Sequence, residues 1–282
     1  MRILLHIMKK TIIWIIVIAV IIWTGISLSK NEGQKASIDA QKAPIKIGVM
    51  EPLTGGAAPY GEAGRNGFMM AVDEINAAGG INGHKVETVY EDSKCDGKSA
   101  LSAVQKLISV DNAQYIVGAM CSGEVLAALP VTEARPMIFF GEGSSPDITG
   151  KGKYFFRTWP SDALSSKAMA DKVASKYKKI AVITEKTEYA TALGNSFETA
   201  AKQNGSEIVA SETYATGAKD FRGLLSKIKA TNPDLLFINA QEGVNGSLIA
   251  KQARDLGIKS QFVAYFFTGD EFVKSGTAVN GT

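Results

Sequence analysis

The chain has 282 residues, 45% of them hydrophobic and 21% charged, with a formal net charge of +3. That excess sits at the extreme N-terminus, where Arg2, Lys9 and Lys10 have no acid beside them; the balanced remainder offers no basic footprint for a nucleic acid. Its two histidines, His6 in the N-terminal segment and His84 in GGINGHKVE, do not support a Ser-His-Asp triad or a histidine-based metal site.

In the opening MRILLHIMKKTIIWIIVIAVIIWTGISLSK, basic residues precede an apolar run from Ile12 to Trp23 and a polar exit from Ser27. That order describes an export signal. Ser27 and Ser29 have a spacing that suits cleavage after Ser29, and the stretch from Thr11 to Leu28 is also about long enough to remain as a membrane anchor with its basic end inside. Residues 1–29 are therefore expected to be a signal peptide or an anchor, and the polar, aperiodic residues 30–44 a linker. The expected location is exported, periplasmic or at the cell surface.

From Ile45 the strand IKIGVM leads to an amphipathic helix over 61–78. Its Phe68, Ala71, Val72 and Ile75 recur at helical spacing, and Gly79-Gly80 stops it. After the strand KVETVY, Asp96 is placed to cap a helix carrying Leu101, Val104, Leu107 and Ile108. The strand AQYIVGAM is followed by Ser122 as a cap, a helix over 123–135, the strand RPMIFFG and the loop EGSSPDITGKG. YFFRTWPSD opens a second set: a helix from Asp162 to Tyr177, KKIAVITE, a helix from Ala190 to Gln203, and EIVASETYA. A helix capped by Asp220, the strand PDLLFINA, a helix from Val244 to Leu256 and SQFVAYFF complete it. Strands separated by single helices predict an α/β fold with parallel sheets. The length suits two doubly wound lobes, residues 45–158 and 159–282, with the break near Arg157–Ser161.

Cys95, in YEDSKCDGKSA, and Cys121, in IVGAMCSGEVLAALP, each follow a predicted strand and form no CxxC pair. Two buried thiols, a reactive nucleophile and a disulfide are all open on those grounds. Export favours the disulfide, whose loop closure contributes roughly 3–4 kcal/mol in the chain-entropy model.

The stretch IKIGVMEPLTGGAAPYGEAGRNGFMMAVDEINAAGGINGHKVE closely resembles the opening of the solute-binding proteins of branched-chain amino acid transporters. The resemblance continues through YEDSKCDGKSA, PVTEARPMIFFG, KDFRGLLSKIKATNPDLLF and AKQARDLGIKSQF, over essentially all of residues 45–270. It implies two lobes around a cleft that closes on a small ligand, a disulfide between Cys95 and Cys121, and no catalytic role, metal or cofactor. It also implies that Ser122 bonds the ligand carboxylate, that Gly143 and Ser144 offer a carbonyl and a hydroxyl, and that Tyr60 and Tyr189 close the pocket from opposite lobes. Gln241 falls where the family often has an aromatic residue. The implied function is the extracytoplasmic solute-binding component of an ABC transporter, partnered by membrane permease subunits.

Two departures stand out. The acid that holds the ligand ammonium in amino-acid binders is replaced by aromatic residues near Phe266, with Asp270 several residues late. Glu142 is the nearest substitute; the alternative is a solvated Glu142 and a ligand without an ammonium. The chain also stops at Thr282, where the family normally crosses back to complete the first lobe, so that lobe is expected to be incomplete. A sensor ectodomain of the same fold is the competing function. An enzyme reading of GEGSSP as a phosphate loop lacks a third glycine and a GK[ST].

Overall fold

The structure, a computed structural model, describes residues 42–265 and 273–279. The expected signal or anchor, residues 30–41 of the linker, and the positions Phe266 and Asp270 lie outside the described residues. Among the described residues, no helix is long and apolar enough to cross a membrane.

Contacts divide the chain into two compact units. The smaller holds residues 42–45 and Ala71–Glu87; the larger holds Lys46–Met70 and the described residues from Thr88 onward. In the smaller unit, Asn76 near the end of helix α1 (Ala58–Ala77) donates to the Val86 carbonyl and accepts from the Val86 N–H, both at 2.8 Å. His84 Nδ1 meets the Ala43 carbonyl at 2.8 Å, which leaves this histidine a local structural contact.

Two sheets organise the rest. The first orders β2-β1-β3-β4-β5, from β1 (Ile45–Glu51), β2 (Val86–Asp92), β3 (Tyr115–Gly118), β4 (Phe139–Gly141) and β5 (Phe155–Arg157). The pairs β1–β3, β3–β4 and β4–β5 are parallel. The second orders β7-β6-β8-β9, all parallel, from β6 (Lys179–Glu185), β7 (Glu207–Tyr214), β8 (Leu235–Asn239) and β9 (Gln261–Ala264). The crossover helices are α2 (Gly97–Ser109), α3 (Ser122–Ala134), α4 (Asp162–Ala174), α5 (Glu188–Gln203), α6 (Arg222–Ala230) and α7 (Gly243–Asp255). Both sheets reverse direction of winding once, between β1 and β3 and between β6 and β8. Crevices open beyond the carboxyl ends of the strands at such points.

The predicted α/β elements are therefore present, with small shifts of their ends. Two local expectations need correction. Asp220 is not the N-cap of α6, which is Phe221, although its Oδ1 accepts the Arg222 N–H at 3.1 Å. Ser122 is the first residue of α3, whose N-cap is Cys121. The Glu124 carboxylate reaches back to the Cys121 N–H at 2.8 Å, so the acid three residues on does the work expected of the serine hydroxyl.

Alternation sorts the strands into faces. In the second sheet, Ile180, Val182, Leu235 and Phe237 pack under Leu193 and Phe197. On its other face, Ala181, Ile183, Leu236 and Ile238 pack against Phe221, Leu225 and Ile249. The first sheet buries Met50, Ile116 and Phe139 against Val104, Leu107 and Val125. Its opposite face leaves Phe140 and Phe156 stacked at 5.2 Å yet 44% and 49% exposed. Neighbours in sequence, Phe139 and Phe140 should thus differ sharply on substitution. Denaturant unfolding is expected to show a loss of about 3–5 kcal/mol for Phe139→Ala and less than about 1 kcal/mol for Phe140→Ser. Equal losses would contradict this assignment of faces.

Candidate functional site

Inside the larger unit, a cleft of about 310 Å³ opens where the carboxyl ends of both sheets meet. Residues from the loops after β1, β2, β3 and β4 line one side; those after β6 and β8 line the other. The volume lies at the lower end of the range for small-molecule sites.

The first side is built around a covalent and a polar tie. Cys95 and Cys121 form a disulfide with their Cα atoms 5.3 Å apart, which joins the turns after β2 and β3. Beside it, the fully buried Glu124 accepts the Cys95 N–H through Oε1 and the Cys121 N–H through Oε2, both at 2.8 Å. Cys95 sits at φ +58°, a left-handed conformation that this pair of ties holds in place. The turn out of β3 also needs Gly118, at φ +93°, where a Cβ would lie 2.2 Å from the Met50 carbonyl oxygen.

These ties aim the start of α3 at the cleft. Ser122 is 2% exposed and its Oγ accepts the Ser145 N–H at 3.1 Å, so its own proton remains to be donated. The first N–H groups of any helix lack partners within it and favour an anion. Ser144 lines the cleft, and its carbonyl accepts the Asp162 N–H at 2.9 Å. Of the residues singled out from sequence, Tyr60, Ser122, Glu142, Ser144, Tyr189 and Gln241 line this one cleft, together with both cysteines. Gly143 does not: it is buried in the loop, where a Cβ would lie 2.6 Å from Ile148 Cδ1.

Several contacts join the two sides. Gln241 donates from Nε2 to Cys95 Sγ at 2.9 Å. The carboxylate of Glu242 lies against Gly56, where a Cβ would come within 2.1 Å of an oxygen, and Glu188 similarly closes on Gly123. Tyr189 brings a buried hydroxyl without a hydrogen-bond partner, which burial pushes well above its ordinary range.

Sequence reasoning did not single out Glu242, Trp159, Glu51 or Glu124. Glu242 and Trp159 line the cleft directly. Glu51, at the end of β1, is 2% exposed and lies behind Gly64, a lining residue. Burial, then the charges of Glu142 and Glu124, push its carboxyl up to about 8. Burial pushes Glu124 up to about 7 against hydrogen bonds from the Cys121 and Cys95 N–H groups. Burial also raises Glu142, and raises Glu242 with help from Glu185. Among the described residues, no group of three or more His, Cys, Asp or Glu side chains is placed to hold a metal ion.

Glu51 and Glu124 bind a proton more tightly folded than unfolded. Their contribution to stability is complete below the ordinary carboxyl range, near 4.5, and is lost as pH rises through about 7 and 8. Unfolding free energy should fall by on the order of 2–4 kcal/mol from about pH 5 to about pH 8.5, and less steeply in Glu51→Gln. Identical pH profiles for the two proteins would contradict the role given to Glu51.

A model of the periplasmic binding protein family matches residues 44–281. The chain is 30% identical over 232 residues to the leucine-, isoleucine-, valine-, threonine- and alanine-binding protein of Pseudomonas aeruginosa, a match that covers 81% of this chain and 62% of that protein. Against the Leu/Ile/Val-binding protein of Escherichia coli the identity is 29%, covering 78% and 60%. The crystal structure of a branched-chain amino acid transporter substrate-binding protein from Streptococcus pneumoniae, in complex with isoleucine, superposes with TM-score 0.72 at 32% identity. That superposition covers 83% of this chain and 68% of the other. A leucine-binding protein from Thermotoga maritima gives TM-score 0.75 at 26% identity, covering 83% and 67%. The chain thus spans 60% to 62% of the length of these curated relatives.

Proposed function

Because the chain belongs to the periplasmic binding protein family, in its branched-chain amino acid binding branch, we propose that it is the extracytoplasmic solute-binding component of an ABC transporter. In this reading residues 45–158 and 159–282 act as lobes that close on a small amino acid or related amide. The loaded protein then delivers it to permease subunits in the membrane. The family implies a location outside the cytoplasm, as the N-terminal charge order does.

The observation that carries the reading is the start of α3. Ser122, the first residue of that helix, lines a small cleft, held there by the disulfide and by Glu124. A carboxylate placed there meets the positive end of the helix and a free hydroxyl proton. Glu142, half-buried on the same side, is positioned to answer an α-ammonium, the role that its position suggests in the sequence. No step of covalent chemistry is needed: the work is desolvation of both ligand charges against fixed partners.

A thermal-shift screen against amino acids, amides and small carboxylates tests the reading. Calorimetry with the ligand so found should show a loss of roughly 2–5 kcal/mol for Glu142→Gln, the scale for removing one partner of a buried charge pair. Ser122→Ala should cost about 1–2 kcal/mol, the scale of a hydrogen bond to a charged group. Unchanged affinity in Glu142→Gln would assign the site to a ligand without an ammonium.

A further inference from the structure

We propose that the cleft selects an amino acid whose side chain ends in a second cation, an ammonium or guanidinium, and that Glu242 holds that cation. This rests on the amino-acid reading above and names the class within it.

Two carboxylates enter the cleft from opposite sheets, Glu142 from the loop after β4 and Glu242 from the loop after β8. Both are half-buried. Among the described residues that line the cleft there is no lysine or arginine. A closing ligand strips the remaining water from both acids, and a desolvated carboxylate without a cation is strongly disfavoured. An α-ammonium answers one of them. An apolar branched side chain would leave the other buried and unpaired.

Among the described residues, Glu242 makes no capping bond or ion pair that takes over this duty. It is the N-cap residue of α7, but its side chain makes no capping bond. Against it stands Glu185, fully buried, whose Oε2 accepts from the Tyr214 hydroxyl and the Gln241 N–H while Oε1 has no hydrogen-bond partner. A second carboxylate at that point deepens the negative potential. The positive charge that bears on Glu242 is Lys219, an exposed residue that does not line the cleft. The remaining walls suit a cation as well: the aromatic residues Tyr60, Trp159 and Tyr189 line the same space.

Isothermal titration calorimetry of the native chain and of Glu242→Gln with lysine, arginine, leucine and valine tests this. The native chain should bind lysine or arginine at least about tenfold more tightly than leucine. Glu242→Gln should weaken the basic ligand by roughly 30-fold or more and leave leucine unchanged or tighter. Glu242→Asp keeps the charge and should keep the basic preference, so a loss confined to the Gln variant reports charge and not folding. Leucine or valine binding as tightly as the basic ligands, or a basic ligand indifferent to Glu242→Gln, overturns the proposal and leaves the amino-acid reading standing. A folded native chain that binds none of the four overturns the proposal, and overturns the amino-acid reading too if the thermal-shift screen finds no other amino acid or amide.

Discussion

The Glu124 carboxylate, shared between the Cys95 and Cys121 N–H groups at 2.8 Å each, is the contact on which the first side of the cleft depends. The disulfide beside it fixes how far apart the two turns lie. A disulfide alone leaves rotation about its own bonds, whereas two hydrogen bonds accepted by one planar group set the direction of both backbones. Direction is what ligand binding needs here, because Ser122 follows Cys121 directly and the first N–H groups of α3 follow Ser122. Glu124 is fully buried, so its burial cost is large and its hydrogen bonds must offset it.

Topology supplies the rest. In both sheets the winding reverses at the strand nearest the cleft, so the loops that diverge there leave a gap instead of packing over one another. The segments that follow β1, β3, β6 and β8 all feed that gap and contribute residues to its lining. The contacts of Gln241 with Cys95 and of Glu242 with Gly56 mean that the second side rests on the very turns that the disulfide and Glu124 hold. Acidity is the other common property: Glu142 and Glu242 line a small space whose remaining walls are largely aromatic and apolar, and Glu51 lies behind Gly64.

Much of this was legible in the sequence because the elements obey local rules. Strands of apolar and β-branched residues alternate with helices whose apolar spacing is regular, and Asp96 caps α2 as its position suggests, with its carboxylate on the Ser99 N–H at 2.9 Å. The resemblance to the branched-chain amino acid binders also pointed to Ser122, Glu142, Ser144, Tyr189 and Gln241. The misses have physical causes. Glu51 and Glu124 are charged, and a charged residue at a strand end or in a first helical turn reads as solvated; only tertiary packing buries them. Glu242 sits one residue beyond Gln241, where the next helix begins, and an acid there reads as an ordinary cap. Gly143 does not line the cleft, because the loop turns it inward against Ile148 and Val125. Trp159 lay in the stretch taken as a lobe boundary, and such a boundary is itself a wall of the site.

Amide hydrogen exchange followed by NMR tests the central claim most directly. If Glu124 organises the cleft, the Cys95 and Cys121 N–H groups should exchange as slowly as amides of the buried strands. Both should lose most of that protection in Glu124→Gln with the disulfide intact. Exchange of these two amides at the rate of exposed loop residues in the native chain, or protection untouched by Glu124→Gln, would contradict the account.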